Sequence, residues 1–291
     1  MKSLTTAHVI HVMSGSNPPA LTISNGETIC VETAKPGIPD ETFTKDYTKE
    51  PFPKRVLTIT GPIYVEGALP GDTLKVSIER IELDTMGKMW MGQWMGVLMN
   101  EVDHCYMRKA PVSDGQVHFS DTLSFPIRPM IGTLGVAPGG EDVDCVLPGD
   151  YGGNMDCLSI APGNSVYLPV FVPGALLAVG DVHAAMGYGE VLGTGIEIGS
   201  TVIMTVEVLK DKPLSHPVVE TPHSLEIIVS GNDFDELCRE ATRSAIDLVC
   251  KRRSCGFDEA YAIVGQTSDL KVLQVVNYCT TLSIQIPKAL L

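Results

Sequence analysis

Aromatic residues are scarce in this sequence, charged residues are few, and long hydrophobic runs are missing. Aromatic side chains make up 6% and charged ones 19% of the 291 residues, against 44% hydrophobic residues. A disordered chain has the opposite balance, so this composition predicts a folded globular protein. No stretch approaches the ~20 consecutive apolar residues of a transmembrane helix, and we expect no membrane partner.

Positive charge is also in short supply. The chain has 21 Lys and Arg residues against 35 Asp and Glu residues, which gives a formal net charge of −14. Nucleic acids and anionic membranes repel such a surface, so we expect neither as a partner. A small neutral or cationic substrate fits this charge, and the surplus carboxylates leave ligands for a metal ion.

Several sequence motifs are missing too. There is no Gly-x-Ser-x-Gly turn, no phosphate-binding loop and no dinucleotide fingerprint after a strand. The eight cysteines form no Cys-x-x-Cys pair, which favours free thiols in a reducing compartment over a disulfide framework. The N-terminus MKSLTTAHVIHVMSG lacks an apolar segment followed by a cleavage site, so we expect a cytoplasmic location.

Glycine and proline, by contrast, are frequent and spread along the chain, with 28 and 20 residues. Segments such as VLTITGPIYVEG and DTLKVSIERIEL alternate apolar and polar residues between turns, as half-buried strands do. Residues 1–212 are therefore predicted to form a mostly β body, either packed sheets or an open barrel. Residues 213–291 are predicted to form a smaller αβ part packed on this body, with a helix between Asn232 as N-cap and Gly256 as its end. The fold class is α+β overall.

The segment GDVHAAMGYGEV concentrates Asp181, His183 and Glu190 among residues with small side chains. Alternation along the preceding strand places Asp181 and His183 on one face, and Gly-Tyr-Gly can turn the chain so that Glu190 returns beside them. Imidazole and carboxylates together suit Zn²⁺, Mn²⁺ or Fe²⁺. The alternative is a hairpin tip whose Asp and His side chains bond to loop backbone.

A second group of polar residues follows two glycines in YGGNMD. Gly152 and Gly153 would allow the backbone to approach a ligand closely, where Asn154 and Asp156 could contact it. A simple Asx turn would explain the same residues.

The remaining candidates are single carboxylates. Glu197 lies between apolar neighbours and needs a partner, which a cation or a metal-bound His would provide. Glu32 and Glu66 end apolar strands, where carboxylates are ordinarily solvated, and Asp40 lies in a long Pro-rich loop. Among these three, Glu32 is preferred because it precedes the long loop and would anchor it.

Taken together, several blocks of the chain resemble the acetamidase/formamidase family: GPIYVEGALPGDTLKV, GVAPG, YGGNMD, LPVFVPGALLAVGDVHAAMGYGEV and IPK. The resemblance spans nearly the whole chain, and the blocks occur in the family's order. It implies hydrolysis of formamide or acetamide, a β-rich fold with an αβ C-terminal part, and dimers or higher homo-oligomers. It also implies a bound divalent metal, zinc first, and allows calcium at a second site.

The family's GGNMD and GDxHxxxGxGE blocks map onto the two polar segments described above. We expect Asp156, Asp181 and His183 to hold the metal, with Glu32 as a further ligand. Tyr188 is a departure, because family members commonly have GDGE where this chain has GYGE. The loss of that Asp puts a second metal or the usual substrate preference in question.

These residues would support amide hydrolysis. A divalent metal lowers the pKa of bound water to ~7 and polarises the carbonyl group. Glu190 is expected to be the general base, which takes a proton from water and passes it to the departing ammonia. Asn154, or the backbone N–H groups of Gly152 and Gly153, would stabilise the oxyanion.

Two other functions stay open at this point. A β-rich protein could bind a small polar ligand beside a structural cation without turning it over. A hydrolase could instead act on a larger amide, a urea-like compound or a cyclic imide. The Met- and Trp-rich segment 89–95 could form a narrow or a wide apolar pocket, or belong to the core or an oligomer interface.

Overall fold

The computed structural model describes residues 1–35 and 57–291. Within these ranges the chain forms many short strands, with two α-helices near the C-terminus. The strands are, in chain order, β1 (Lys2–Leu4), β2 (Val9–Ile10), β3 (Val12–Met13), β4 (Leu21–Ile23), β5 (Glu27–Thr33), β6 (Ile59–Val65), β7 (Thr73–Leu83), β8 (Met86–Met91), β9 (Tyr106–Ser113), β10 (Gln116–Ser120), β11 (Leu123–Pro126), β12 (Met130–Gly135), β13 (Val143–Asp144), β14 (Pro148–Gly149), β15 (Gly152–Asn154), β16 (Ser165–Pro169), β17 (Leu177–His183), β18 (Ser200–Leu209), β19 (Val218–Glu220), β20 (Ser224–Gly231), β21 (Asp269–Gln274) and β22 (Thr280–Pro287). The helices are α1 (Phe234–Arg253) and α2 (Phe257–Thr267).

Most strands belong to two large sheets. The first has the order β1-β5-β18-β7-β16-β19-β20-β22-β21, and the second has the order β14-β15-β12-β17-β6-β2, with β4 also paired to β6. A smaller sheet, β11-β10-β9-β8, and the short pair β13-β3 lie beside them. One hydrophobic core contains Val31 and Met204 of the first sheet together with Ile63 and Val182 of the second. The body is therefore a pair of packed sheets, one of the two predicted architectures.

The sequence of β18 shows why the sheets pack. In STVIMTVEVL every second side chain is buried and the residues between them are half-buried. Alternate side chains of a strand point to opposite faces, so Val202, Met204 and Val206 all enter the core. Burial of each such side chain contributes roughly 1.5–3 kcal/mol.

The C-terminal strands continue the first sheet. β16 pairs with β19, and β20 pairs with β22 along its whole length. Helix α1 packs on this part of the sheet and buries Leu237, Ala241 and Ala245 in a second hydrophobic cluster with Val229 and Ile284. A continuous sheet thus crosses the boundary predicted at residue 212, and the division into two parts stays a prediction.

The ends of α1 differ from those predicted. Asp233, not Asn232, is the N-cap, because Asp233 Oδ1 accepts a hydrogen bond from the backbone N of Glu236 at 3.0 Å. A carboxylate at this end also interacts favourably with the helix dipole. After the last turn Ser254 adopts a left-handed conformation, with φ 54°, and Gly256 instead precedes α2.

All eight cysteines are free, as their spacing predicts. Cys145 and Cys157 are buried, and the other six are half-buried. No described helix combines the length and the apolar character that crossing a bilayer requires.

Candidate active site

Five ionisable side chains meet in the interior of the protein. Two triads of metal-ligand types share His183: one adds Asp156 and Glu190, and the other adds Asp181 and Glu197. Within each triad the ligand atoms all lie within 4.8 Å of one another. The structure therefore brings the two predicted polar segments together and adds Glu197 to them.

Strand pairing sets the positions of the two aspartates. β12 lies between β15 and β17 and pairs with both, Asp156 follows β15, and Asp181 is on β17. A Cβ at Gly132 of β12 would lie 2.7 Å from Asp156 Oδ1 and 2.8 Å from Asp181 Oδ2. Because a side chain here would overlap both carboxylates, the site requires Gly132, which no motif in the sequence marks.

The chain after β17 turns and runs back along this strand. The backbone N of Ile198 donates to Val182 O at 2.9 Å. This return places Glu197 Oε1 3.0 Å from His183 Nε2, and the same oxygen accepts a hydrogen bond from the backbone N of Gly195 at 3.0 Å. The partner that the buried Glu197 was predicted to need is His183.

Three acidic residues of the cluster have left-handed backbone conformations, with φ 51° at Asp156, 56° at Asp181 and 45° at Glu190. At non-glycine residues such conformations cost of order 1–3 kcal/mol each. Backbone hydrogen bonds hold two of them: Asp156 N donates to Gly132 O at 3.1 Å, and Glu190 N donates to Gly187 O at 3.2 Å. Strain of this kind is concentrated at functional sites.

The cluster concentrates negative charge around one imidazole. Burial alone would lower the pKa of His183, but the carboxylates of Glu197 and Asp181 raise this pKa well above its ordinary value. Burial raises the pKa of the Glu197 carboxyl to about 7, against the opposing attraction of His183. A site with this electrostatic character favours an added positive charge, either a proton or a metal cation.

The donor set fits a borderline divalent cation such as zinc. Carboxylates with an imidazole are the ligands of many catalytic metal sites. Both ring nitrogens of His183 are buried without a hydrogen bond to the described residues, although Nε2 lies 3.0 Å from Glu197 Oε1. Calcium prefers oxygen ligands alone, but both triads among the described residues contain His183. The second site, for calcium, therefore stays a prediction.

Three predicted carboxylates are not placed in the cluster. Glu32 is exposed on β5, because the alternation of that strand turns Val31 and Thr33 toward the core instead. Glu66 is also exposed and accepts a hydrogen bond from Ser24 Oγ at 2.9 Å. The third, Asp40, lies outside the described residues.

Asn154 is buried, but its amide group is already engaged. Its Oδ1 accepts a hydrogen bond from Thr133 Oγ1 at 2.7 Å, and its Nδ2 donates to Val146 O at 3.3 Å. Thr133 Oγ1 also lies 3.4 Å from Asp181 Oδ2. Asn154 is thus held in place by Thr133 and Val146, and its role as an oxyanion donor stays a prediction.

Gly152 and Gly153 are buried between β12 and β14 and pair with both strands. A Cβ added at Gly152 would overlap Leu134 O, and one added at Gly153 would lie 2.5 Å from Leu147 O. These glycines therefore permit close backbone packing next to Asn154 and Asp156, and their contact with substrate stays a prediction.

Asn277, between β21 and β22, is a further residue of the site that no local sequence pattern predicts. This buried residue donates from Nδ2 to Asp156 Oδ2 at 2.6 Å. Gln274 Oε1 accepts hydrogen bonds from the backbone N of Val276 at 2.8 Å and of Asn277 at 2.9 Å, and Gln274 Nε2 donates to Thr281 Oγ1 at 2.8 Å. The signal in the sequence that points to this loop is Gln274, a polar residue inside the apolar run VLQVV.

A cavity of about 510 Å³ borders the cluster, and Glu190 and Gly195 line it. Its other walls are mostly apolar and include Met89 of the Met- and Trp-rich segment. Tyr188 lines it at the surface, with Lys271 Nζ 3.3 Å from its hydroxyl and Arg128 5.7 Å from its ring centre. Tyr188 thus borders the cavity and belongs to neither triad.

Comparison with known proteins finds similarity along the whole chain. The sequence profile described as Acetamidase/Formamidase family matches residues 139–289. The crystal structure of a predicted acetamidase/formamidase from Thermoanaerobacter tengcongensis is 37% identical with a TM-score of 0.93, over 99% of this chain and 96% of that one. The acetamidase from Bacillus halodurans is 35% identical with a TM-score of 0.92, over 98% and 97% of the two chains.

Similarity to curated sequences is more limited. The formamidase of Methylophilus methylotrophus is 29% identical over 168 residues, which are 49% of this chain and 41% of that protein. The chain thus matches less than half the length of this curated relative.

Proposed function

The chain belongs to the acetamidase/formamidase family, and we propose that it hydrolyses primary amides to a carboxylic acid and ammonia. Water adds to the carbonyl carbon to form a C–O bond, and the C–N bond breaks as a proton moves to the departing nitrogen. The observation that supports this proposal most directly is that Glu190 belongs both to the buried Asp/His/Glu cluster and to the cavity wall.

A divalent cation, zinc first, is the proposed cofactor. Asp156, Asp181 and His183 would hold it, with Glu197 in reach of the same imidazole. When bound, the cation would polarise the amide carbonyl group and acidify water. One imidazole among several carboxylates is the donor chemistry that supports this choice.

Glu190 is the proposed general base. It lines the cavity, and its buried carboxylate belongs to the same triad as Asp156 and His183. The carboxylate accepts a proton from the attacking water and delivers it to the amide nitrogen, which then leaves as neutral ammonia and not as an amide anion.

Ammonia release from formamide and acetamide, before and after chelation, tests the proposal together with elemental analysis of the purified protein. We expect ammonia from the metal-containing protein, loss of activity after chelation, and its return with Zn²⁺. If chelation lowered the melting temperature but no primary amide ever gave ammonia, the protein would instead bind a small ligand beside a structural cation.

A cytoplasmic location and a homo-oligomeric state are also part of the proposal. Eight free cysteines support a reducing compartment. Val97, Leu98 and Val191 are exposed apolar side chains, and Val97 N donates to Val191 O at 2.8 Å, so they form a patch that a second copy could cover. Light scattering tests the assembly, and the mass of a single chain in solution would contradict it.

A further inference from the structure

The cavity beside Glu190 is much larger than formamide or acetamide. Its volume is about 510 Å³, whereas formamide, at ~30 Å³ per non-hydrogen atom as in liquid water, fills only ~90 Å³. Pockets of roughly 300–1,000 Å³ are typical for drug-sized ligands. An amide with a one- or two-carbon acyl group would leave most of this space to water.

The walls away from Glu190 are mostly apolar, with Arg128 and Thr194 as polar side chains among them. Met89 and Ile196 are buried there, and Phe119 and Phe125 are half-buried. The two phenylalanine rings have centroids 6.0 Å apart and planes tilted by 39°. Two tilted rings of this kind favour an apolar or aromatic group packed against them.

The cavity and the cluster share a wall. Gly195 lines the cavity, and a Cβ at this position would lie 2.6 Å from His183 Nδ1. Glu190 lines the cavity from the segment just before it. An amide whose carbonyl carbon lies beside Glu190 therefore has the apolar walls available for its acyl substituent.

We propose that the substrate is a primary amide with a bulky apolar acyl group, of the size of hexanoyl or phenylacetyl. This inference rests on the proposed amide hydrolysis and adds the substrate class. Burial of apolar surface is favourable in proportion to its area, so a longer acyl group stabilises the bound state until the cavity is filled. The acyl group also expels the water that would otherwise occupy the space beside Glu190.

The test is the kcat/KM of ammonia release from formamide, acetamide, hexanamide and phenylacetamide. We expect hexanamide and phenylacetamide to exceed acetamide by at least about tenfold, in line with the favourable burial of each added methylene. Equal or lower values for the two larger amides would overturn the inference and leave amide hydrolysis standing. No ammonia from any of the four would overturn the proposed function itself.

A fifth compound tests whether the cavity holds the acyl group or the leaving amine of the substrate. N-benzylacetamide carries its apolar group on nitrogen, so the proposal expects slow release of benzylamine. Release of benzylamine faster than the release of ammonia from phenylacetamide would show that the cavity holds the leaving group instead.

Phe125→Ala tests the wall itself. We expect kcat/KM for phenylacetamide to fall about tenfold more than kcat/KM for acetamide, because the larger acyl group makes the greater contact with the ring. Phe257→Ala is the matched control, since it makes the same change at an exposed position on α2. Equal losses toward both amides would contradict the proposal, and Phe125→Leu gives the same ratio test if the alanine variant does not fold.

Discussion

Glu190 is the residue at which the cluster and the cavity meet, and it is buried in a left-handed conformation. We expect Glu190→Gln to lower kcat by about 10²–10⁴-fold, because the amide side chain cannot accept the proton of water. Ammonia release is measured together with the metal content. Glu66→Gln, at an exposed carboxylate, serves as the control. A Glu190→Gln protein that keeps its metal and the parental rate would refute the proposed base.

Gly132 leaves room for the carboxylates of Asp156 and Asp181 next to each other. Gly132→Ala would place a methyl group 2.7 Å from Asp156 Oδ1, so we expect metal affinity to fall about 10–100-fold, as when supports of a metal site are lost. Metal titration measures this effect. The control is Gly140→Ala, where a Cβ meets nothing within 4 Å. Equal metal binding in both variants would contradict the assignment.

Asn277 holds Asp156 from the C-terminal part of the chain. Asn277→Ala removes the donor to Asp156 Oδ2, and we expect about 10–100-fold weaker metal binding with a similar loss of kcat/KM. Tyr278→Ala changes the neighbouring residue, which is 77% exposed, and should leave both quantities at the parental values. If the two variants behave alike, Asn277 has no positioning role.

At the scale of elements, His216 joins the β14–β15 turn to α1. Its Nδ1 lies 2.9 Å from Asp150 Oδ1, and its Nε2 lies 3.4 Å from Glu240 Oε1. The hydrogen bond with Asp150, opposed by partial burial, raises the pKa of His216 above its ordinary value. This contact therefore ties the helical layer to the turn that precedes Asp156.

Because the pKa of His216 is higher in the folded protein than in the unfolded one, its protonated form stabilises the fold. This stabilisation is fully present below the unfolded-state pKa of ~6.5 and is lost as the pH rises through the folded-state pKa. We expect His216→Gln to lower the free energy of unfolding at acidic pH by less than about 1 kcal/mol, with no difference at about pH 9. Urea unfolding at both pH values measures this, with His223→Gln as the exposed control. A loss that does not depend on pH would show a packing effect only.

At the scale of the whole molecule, metal binding and folding should be coupled. The cluster joins β15, β17 and the chain after β17, so a bound cation stabilises the native state alone. The stabilisation is ~2.7 kcal/mol when free metal is 100 times Kd, which corresponds to several degrees in Tm. Thermal unfolding with and without chelation measures the shift.

Two variants separate the cluster from other carboxylates in the same unfolding experiment. His183→Gln should abolish the response of Tm to Zn²⁺, because this residue belongs to both triads. Glu32→Gln should keep the full response, because Glu32 is exposed on β5. A response lost in both variants, or in neither, would contradict the placement of the site.

Much of the fold follows from local patterns. The alternation in DTLKVSIERIEL predicts β7, and the helical period of FDELCREATRSAIDLVCKRR predicts α1, because each pattern reports which side of an element is buried. Alternation also predicts that Asp181 and His183 share a face, and the structure has their carboxylate and imidazole 3.7 Å apart. Glu32 is exposed on β5 instead of lying in the cluster, because a carboxylate at the end of a strand is as readily solvated as it is bound to a metal.

The sequence by itself determined the strands, the helices and the kinds of donor available in the GGNMD and GDVH segments. Only the tertiary structure decided that Glu197, Asn277 and Gly132 belong with them. Each of these three reaches the cluster through a contact between elements: the return of the chain along β17, the loop between β21 and β22, and the position of β12 between its neighbours. Such contacts depend on sheet order and register, and a local pattern of residues carries no information about either.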